Sequence, residues 1–279
     1  MTRLVRGLAW VVVPVEVVLV VCLLTGGVLP VRVLVGVEAV ALALLLVECA
    51  GLLVVYRRGG RAALRDVVPE PVRRIVGHEV RALSSLVLWV ARRRHGVREG
   101  DLAFGHARDQ AAMLYGFVFV SVVETIGLAL LLRNWPTLHA ITLVIDVYGV
   151  ILMLGIHAAS VTRPHVLSAD SLRVRHGAHR DVTIPLERIA AARGERRFTH
   201  EAAEGVLNIP VAAQTSLTLE LTEPVMAVGF LGGRRPVTTV RLHSDEPAEL
   251  RAALGRALRR KGELTQARTA PSPPLGRPA

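Results

Sequence analysis

Apolar and polar positions alternate along this chain on three different length scales. The longest scale belongs to residues 113–132 and 138–159, runs of twenty and twenty-two residues that carry only Glu124 and Asp146 as acids. Five residues, Arg133, Asn134, Trp135, Pro136 and Thr137, separate them. About twenty apolar residues cross a bilayer core, so this stretch predicts two membrane-spanning helices joined by a tight turn. Residues 7–29 and 33–56 repeat the pattern across the short turn 30–32. The first run follows Arg3 and Arg6, as a signal peptide would, but it is too long and lacks a small-residue cleavage site. It is therefore expected as a retained helix.

An intermediate scale marks the segment between the two hairpins, residues 57–112. Pro71 suits the first turn of a helix, and Val72, Val76, Val80, Leu83, Val87 and Val90 recur at helical spacing. Such a helix either lies in the membrane interface with its arginines at anionic headgroups or packs against a neighbouring domain. The shortest scale begins after Ser160. Segments 164–168, 171–176, 181–186, 188–192, 215–221, 225–230 and 237–243 alternate like strands, punctuated by Ala169-Asp170, Gly177 and Gly232-Gly233. Asp245 then suits the cap of a helix over 246–261. Residues 263–279 are rich in proline and predict a disordered tail.

The expected fold class is thus an α-helical membrane protein with four transmembrane helices plus a small β-rich cytoplasmic domain with a C-terminal helix. Its expected domains are 1–56 for the first hairpin, 57–112 for the basic loop, 113–159 for the second hairpin and 163–262 for the β domain. Charge then sets the orientation. The net charge is +11, carried almost wholly by arginine. Twelve arginines fall in the loop 57–112, whereas the turns on the other side hold Arg32 and Arg133. The positive-inside rule places the loop and both termini in the cytoplasm. The arginine, alanine and valine bias suits a GC-rich bacterial genome, so the expected location is the bacterial plasma membrane. Arg57, Arg58, Arg73, Arg74, Arg92, Arg93 and Arg94 are the expected contacts to lipid headgroups. Cys22 and Cys49 lie in apolar runs and behave as small hydrophobes. Aromatic residues make up 4%, too few for base-stacking platforms, and no nucleic-acid partner is expected.

Two sets of residues resemble known families. Leu167-Ser168-Ala169-Asp170-Ser171-Leu172-Arg173-Val174-Arg175-His176-Gly177, the return segment Ile184-Pro185-Leu186-Glu187-Arg188-Ile189, and the ending Ser244-Asp245-Glu246-Pro247-Ala248-Glu249-Leu250 are similar to bacterial PH-like domains. This implies a PH-like β domain over about 163–260, following directly on transmembrane helices. Glu124, Trp135, Tyr148 and Ile184-Pro185-Leu186 resemble a group of bacterial integral membrane proteins with no established activity, which implies architecture only. Residues 194–214 match neither pattern.

Five acids inside the expected spans are the main chemical signal. Counted at about 1.5 Å per residue, Glu38, Glu124 and Asp146 lie roughly 8–13 Å from the outer face, and Glu16 and Glu48 roughly 12–14 Å from the inner face. Asp146 and His157 share one helical stripe. An ionised carboxylate there costs at least about 2.5–3.5 kcal/mol, so these groups are expected to face the bundle interior, with Glu124 opposite Asp146. They either hydrogen-bond the helices together or form a proton, cation or metal path. Enzyme motifs fail: His78-Glu79-Val80-Arg81-Ala82 and His200-Glu201-Ala202-Ala203-Glu204 both lack the second histidine of a zinc protease site. No catalytic residue, cofactor or resident metal is expected. The expected function is that of a membrane-anchored assembly or interaction protein at the inner leaflet. Its partners are the bilayer, anionic lipids, and a second copy or another protein. The alternative is a small proton- or cation-coupled transporter.

Overall fold

The computed structural model describes residues 54, 56–60, 62 and 68–269. The first expected hairpin, with Glu16, Glu38 and Glu48, lies outside the described residues, as do residues 270–279. The chain divides into two compact units, Met1–Arg73 and Arg74–Ala279. In the first, Arg57 and Arg58 stand exposed on helical backbone.

The second unit begins within α1 (Glu70–Val90). A short strand β1 (Leu102–Phe104) follows, then two long helices, α2 (Arg108–Leu131) and α3 (Pro136–Thr162). Both are long and apolar enough to cross a membrane. At about 1.5 Å per residue they run roughly 36 and 40 Å. No residue of α2 is buried. A helix that is apolar all round belongs in a core or in lipid, and among the described residues no core surrounds α2. Pro136 opens α3 where its missing N–H costs nothing.

The β unit then unfolds in sequence order: β2 (His165–Leu167), β3 (Ser171–His176), β4 (Arg180–Pro185), β5 (Ile189–Arg197), β6 (Val206–Ile209), β7 (Thr215–Val228), β8 (Arg234–Leu242) and helix α4 (Pro247–Thr269). Two four-stranded sheets result, ordered β1-β2-β3-β4 and β5-β7-β8-β6. Their facing sides hold the core with α4: Leu172 and Val174, Ile184, Leu217 and Leu219, Val240 and Leu242, Leu250 and Leu254. Ile184 and Leu186 both point inward across Pro185, as their spacing demands. Pro185 is tolerated because β4 is an edge strand.

Several elements differ from the sequence expectation. Segments 215–221 and 225–230 are one strand, β7, whose pairing with β8 shifts register between Glu220 and Val225. The region 194–214, unassigned from sequence, holds the end of β5 and the strand β6, which pairs parallel with β8. Helix α4 runs on to Thr269, past the expected end at residue 261. Most consequentially, β1 pairs antiparallel with β2, Ala103 opposite Val166. The β unit therefore draws one strand from upstream of α2, and the helical hairpin is an insertion between two paired strands. Asp245 also differs from its expected role. Its carboxylate accepts the Arg108 backbone N–H at 3.1 Å, so it caps the start of α2 rather than α4. Ala107, at the cap position of α2, supplies no side-chain bond of its own.

Candidate functional site

Where α1 ends, it meets the end of α3. Trp89, Val90, Arg92, Arg93 and Arg94 line a groove of about 540 Å³ with Val161 and Thr162. The groove owes its shape to a helix stop. The Arg92 N–H donates to the Trp89 carbonyl at 3.0 Å and the Arg93 N–H to the Leu88 carbonyl at 2.8 Å. This is the Schellman pattern, in which the residue after the helix turns left-handed. Here that residue is Arg92, with φ +53°. Glycine is the usual choice there; an arginine bears a strain on the order of 1 kcal/mol and in return places a guanidinium on the groove.

Residue Arg175 of β3 fastens the next turn of chain. It is 2% exposed and donates to the His95 carbonyl at 2.8 Å and the Gly96 carbonyl at 3.4 Å. His95 in turn donates its backbone N–H to the Thr162 carbonyl at 2.8 Å. Gly96 is required twice over. Its φ is +65°, and a Cβ would stand 2.6 Å from the Arg175 guanidinium. The three arginines of the groove are thus held against the end of the helical hairpin and the edge of the β unit together.

Helix α1 faces both ways. His78, Ala82 and Ser85 are buried, whereas Val72, Val76, Val80, Val87 and Val90 are exposed. At 3.6 residues per turn the two faces lie roughly 150° apart. The buried face is built for close approach: a Cβ on Gly155 of α3 would lie 3.1 Å from the Ala82 backbone. His78 locks it to the β unit, donating from Nε2 to the Phe230 carbonyl at 3.0 Å and accepting at Nδ1 from Arg81 at 2.9 Å. So α1 does pack on the β unit, through its small and polar residues, and the valine face that the sequence pattern singles out is left open. Arg73 is exposed and Arg74 half-buried on the same helix; neither lines the groove.

The intramembrane candidates separate. His157 is buried near the β end of α3, its Nε2 3.2 Å from the Tyr115 hydroxyl and its ring edge-on to Trp89. Asp146 is half-buried, with Oδ2 shielded and without a hydrogen-bond partner among the described residues. Glu124 is exposed on α2 among the described residues; the first hairpin, which it is expected to face together with Asp146, lies outside them.

Sequence reasoning did not find a row of imidazoles that runs between α1 and the β unit. His106 stacks on His165 at 4.7 Å and on His176 at 6.0 Å, His176 meets His179 at 5.0 Å, and His179 meets His78 at 6.2 Å. Burial pushes His165, His176 and His179 each down to about 4, and His106 well below its usual value. His165 is fully satisfied in its neutral form, donating to the His243 carbonyl at 2.8 Å and accepting the Arg175 N–H at 3.1 Å. The row gathers residues from α1, the β1–α2 junction and three β-unit segments. Only the pairs within 176–179 are close in sequence, so no local spacing signals it.

No protein family, curated protein or solved structure matches this chain.

Proposed function

We propose that this is a plasma-membrane protein whose β unit, PH-like in build, works at the cytoplasmic leaflet, where the Arg92–Arg93–Arg94 groove takes the phosphate of an anionic lipid. The observation that carries this reading is the groove itself: three guanidiniums and an indole at the end of a hairpin long and apolar enough to span. Arginine binds phosphate by paired N–H donors, and tryptophan favours the headgroup level. The open valine face of α1 suits burial at the acyl boundary beside it. The hairpin fixes the depth of the groove, and the paired strands β1 and β2 pass that position to the β unit. In this reading the protein has no catalytic role; it presents the β unit at the bilayer surface for assembly or protein contact, inside a fold of four transmembrane helices with both termini cytoplasmic.

Reconstitution of the full chain in nanodiscs with phosphatidylglycerol or phosphatidylcholine tests the lipid step. Native mass spectrometry of the released protein should show retained phosphatidylglycerol. Replacement of Arg92, Arg93 and Arg94 by glutamine should remove that preference; a triple variant with wild-type retention overturns the reading. The orientation is tested at Gly233, where an added side chain meets nothing within 4 Å. Labelling of Gly233→Cys from outside intact cells would place the β unit on the wrong side.

The shielded Oδ2 of Asp146, without a partner among the described residues, favours one second reading, a proton or cation path. Flux in proteoliposomes that disappears in Asp146→Asn would support it over the lipid-reading role.

A further inference from the structure

His243 stands apart from the other buried histidines. It follows β8, is 3% exposed, and neither ring nitrogen has a hydrogen-bond partner among the described residues. His106 shares that deficit, but it faces other imidazoles. His243 faces carboxylates. Its Nε2 lies 3.3 Å from Asp109 Oδ2 and 3.8 Å from Asp245 Oδ1. One donor atom from each of the three residues falls within 4.8 Å of the others. Donors arranged tetrahedrally about one ion at about 2.0–2.1 Å stand roughly 3.3 Å apart, close to the first of these separations.

The carboxylates are held in place from outside the cluster. The Arg108 backbone N–H binds Asp245, and the Gln214 amide binds Asp109. The Asp245 carboxylate also sits against Gly105, where a Cβ would come within 2.7 Å of it. Groups that orient ligands in this way are the usual support of a metal centre.

We propose that Asp109, His243 and Asp245 bind one divalent transition-metal ion of the zinc class. The mixed nitrogen and oxygen set suits Zn²⁺, Mn²⁺ or Co²⁺, whereas Mg²⁺ and Ca²⁺ favour oxygen alone. Three protein ligands leave a position for water. Asp109 belongs to the first turn of α2, and His243 and Asp245 to the link between β8 and α4. The ion would therefore pin the membrane end of the β unit to the base of the hairpin. This site is separate from the arginine groove and stands or falls without it.

The full chain in detergent, stripped with chelator and repurified, is titrated with Zn²⁺, Co²⁺ and Mg²⁺ by calorimetry. One equivalent of Zn²⁺ should bind, with Mg²⁺ competing poorly. His243→Gln, checked for fold by circular dichroism, should weaken Zn²⁺ at least about tenfold. Co²⁺ should give visible absorption bands of low coordination number in the wild type that fade in His243→Gln. If that variant does not fold, the same loss in Asp245→Asn, whose amide oxygen still accepts from Arg108, decides the matter. Absence of stoichiometric Zn²⁺ binding in the wild type means that the cluster is an ion pair only, and overturns the proposal. Equal affinity in the folded variants does the same, since the ion would then sit on other histidines.

Discussion

The helical hairpin and the β unit are both rich in aliphatic side chains, and they arrange them in opposite ways. In the β unit Leu172, Ile184, Leu217, Leu219, Leu242 and Leu254 are wholly enclosed. On the hairpin Phe119 is 69% and Leu131 76% exposed, while the enclosed positions are small or polar: Gly155, Ala158, Ala159 and Ser160. Water explains the first arrangement, since removing apolar area from it drives strands and helix into one core. It cannot explain the second. The hairpin is long and apolar enough to span a bilayer, where lipid tails would give no reward for bringing leucines together and helices meet through small residues and hydrogen bonds. The Tyr115–His157 contact and the Gln110–Ser160 bond at 3.3 Å, both between α2 and α3, are of that kind.

The contrast is broken or sharpened most by two substitutions of leucine. Leu186 is 1% exposed, and Leu186→Asp buries an unpaired charge in the β core. It should cost on the order of 5 kcal/mol and unfold the β unit. Leu131→Ala should leave the unfolding free energy of the same detergent-solubilised chain within about 0.5 kcal/mol. Denaturant titration followed by near-ultraviolet circular dichroism measures both; equal losses would remove the distinction between the regions.

Acid should act on the β unit next most strongly. His165, His176 and His179 have folded values of about 4, below the unfolded value near 6.5. The unfolded chain thus binds more protons between these values, and stability rises with pH across that window. It should be complete above about pH 6.5 and fall towards pH 4, by on the order of 3 kcal/mol for a group shifted as far as His165. His106→Phe keeps a stacked ring and removes one buried base, so its thermal stability should decline less steeply with acid. A stability that stays flat from pH 7 to 4 would sink the neutral-row description.

A smaller effect than that of acid is expected at the seam between the regions. Arg92→Gly relieves a left-handed backbone and should stabilise the fold by about 1 kcal/mol, while reducing phosphatidylglycerol retention. Opposite signs in the two measurements would mark Arg92 as kept for its charge. A loss of both would make it a structural cap.

Much of this architecture is legible in the chain itself. The unbroken apolar runs at 113–132 and 138–159, the valine repeat of α1, and the alternation Leu172, Val174 and Val182, Ile184 on either side of Gly177 are local signals. Each depends on a period of 3.6 or 2 or on sheer length, so neighbours in sequence carry it. The arginines 92–94 belong to the same class, because a run of charge needs no partner to be seen. Other features came only with the tertiary structure. Strand β1 is three residues long, too short to show a period, and exists because β2, sixty residues on, offers it a partner. Asp245 looks like the cap of its own helix and caps another. Depth along a helix leaves its rotation free, so the sequence set the level of the acids and not the side they face. The imidazole row and the Asp109–His243–Asp245 cluster assemble from residues that are far apart in sequence. Contacts of that kind follow from packing and not from pattern, which is why the long helices and the strands could be read locally and the chemistry only once the chain had closed on itself.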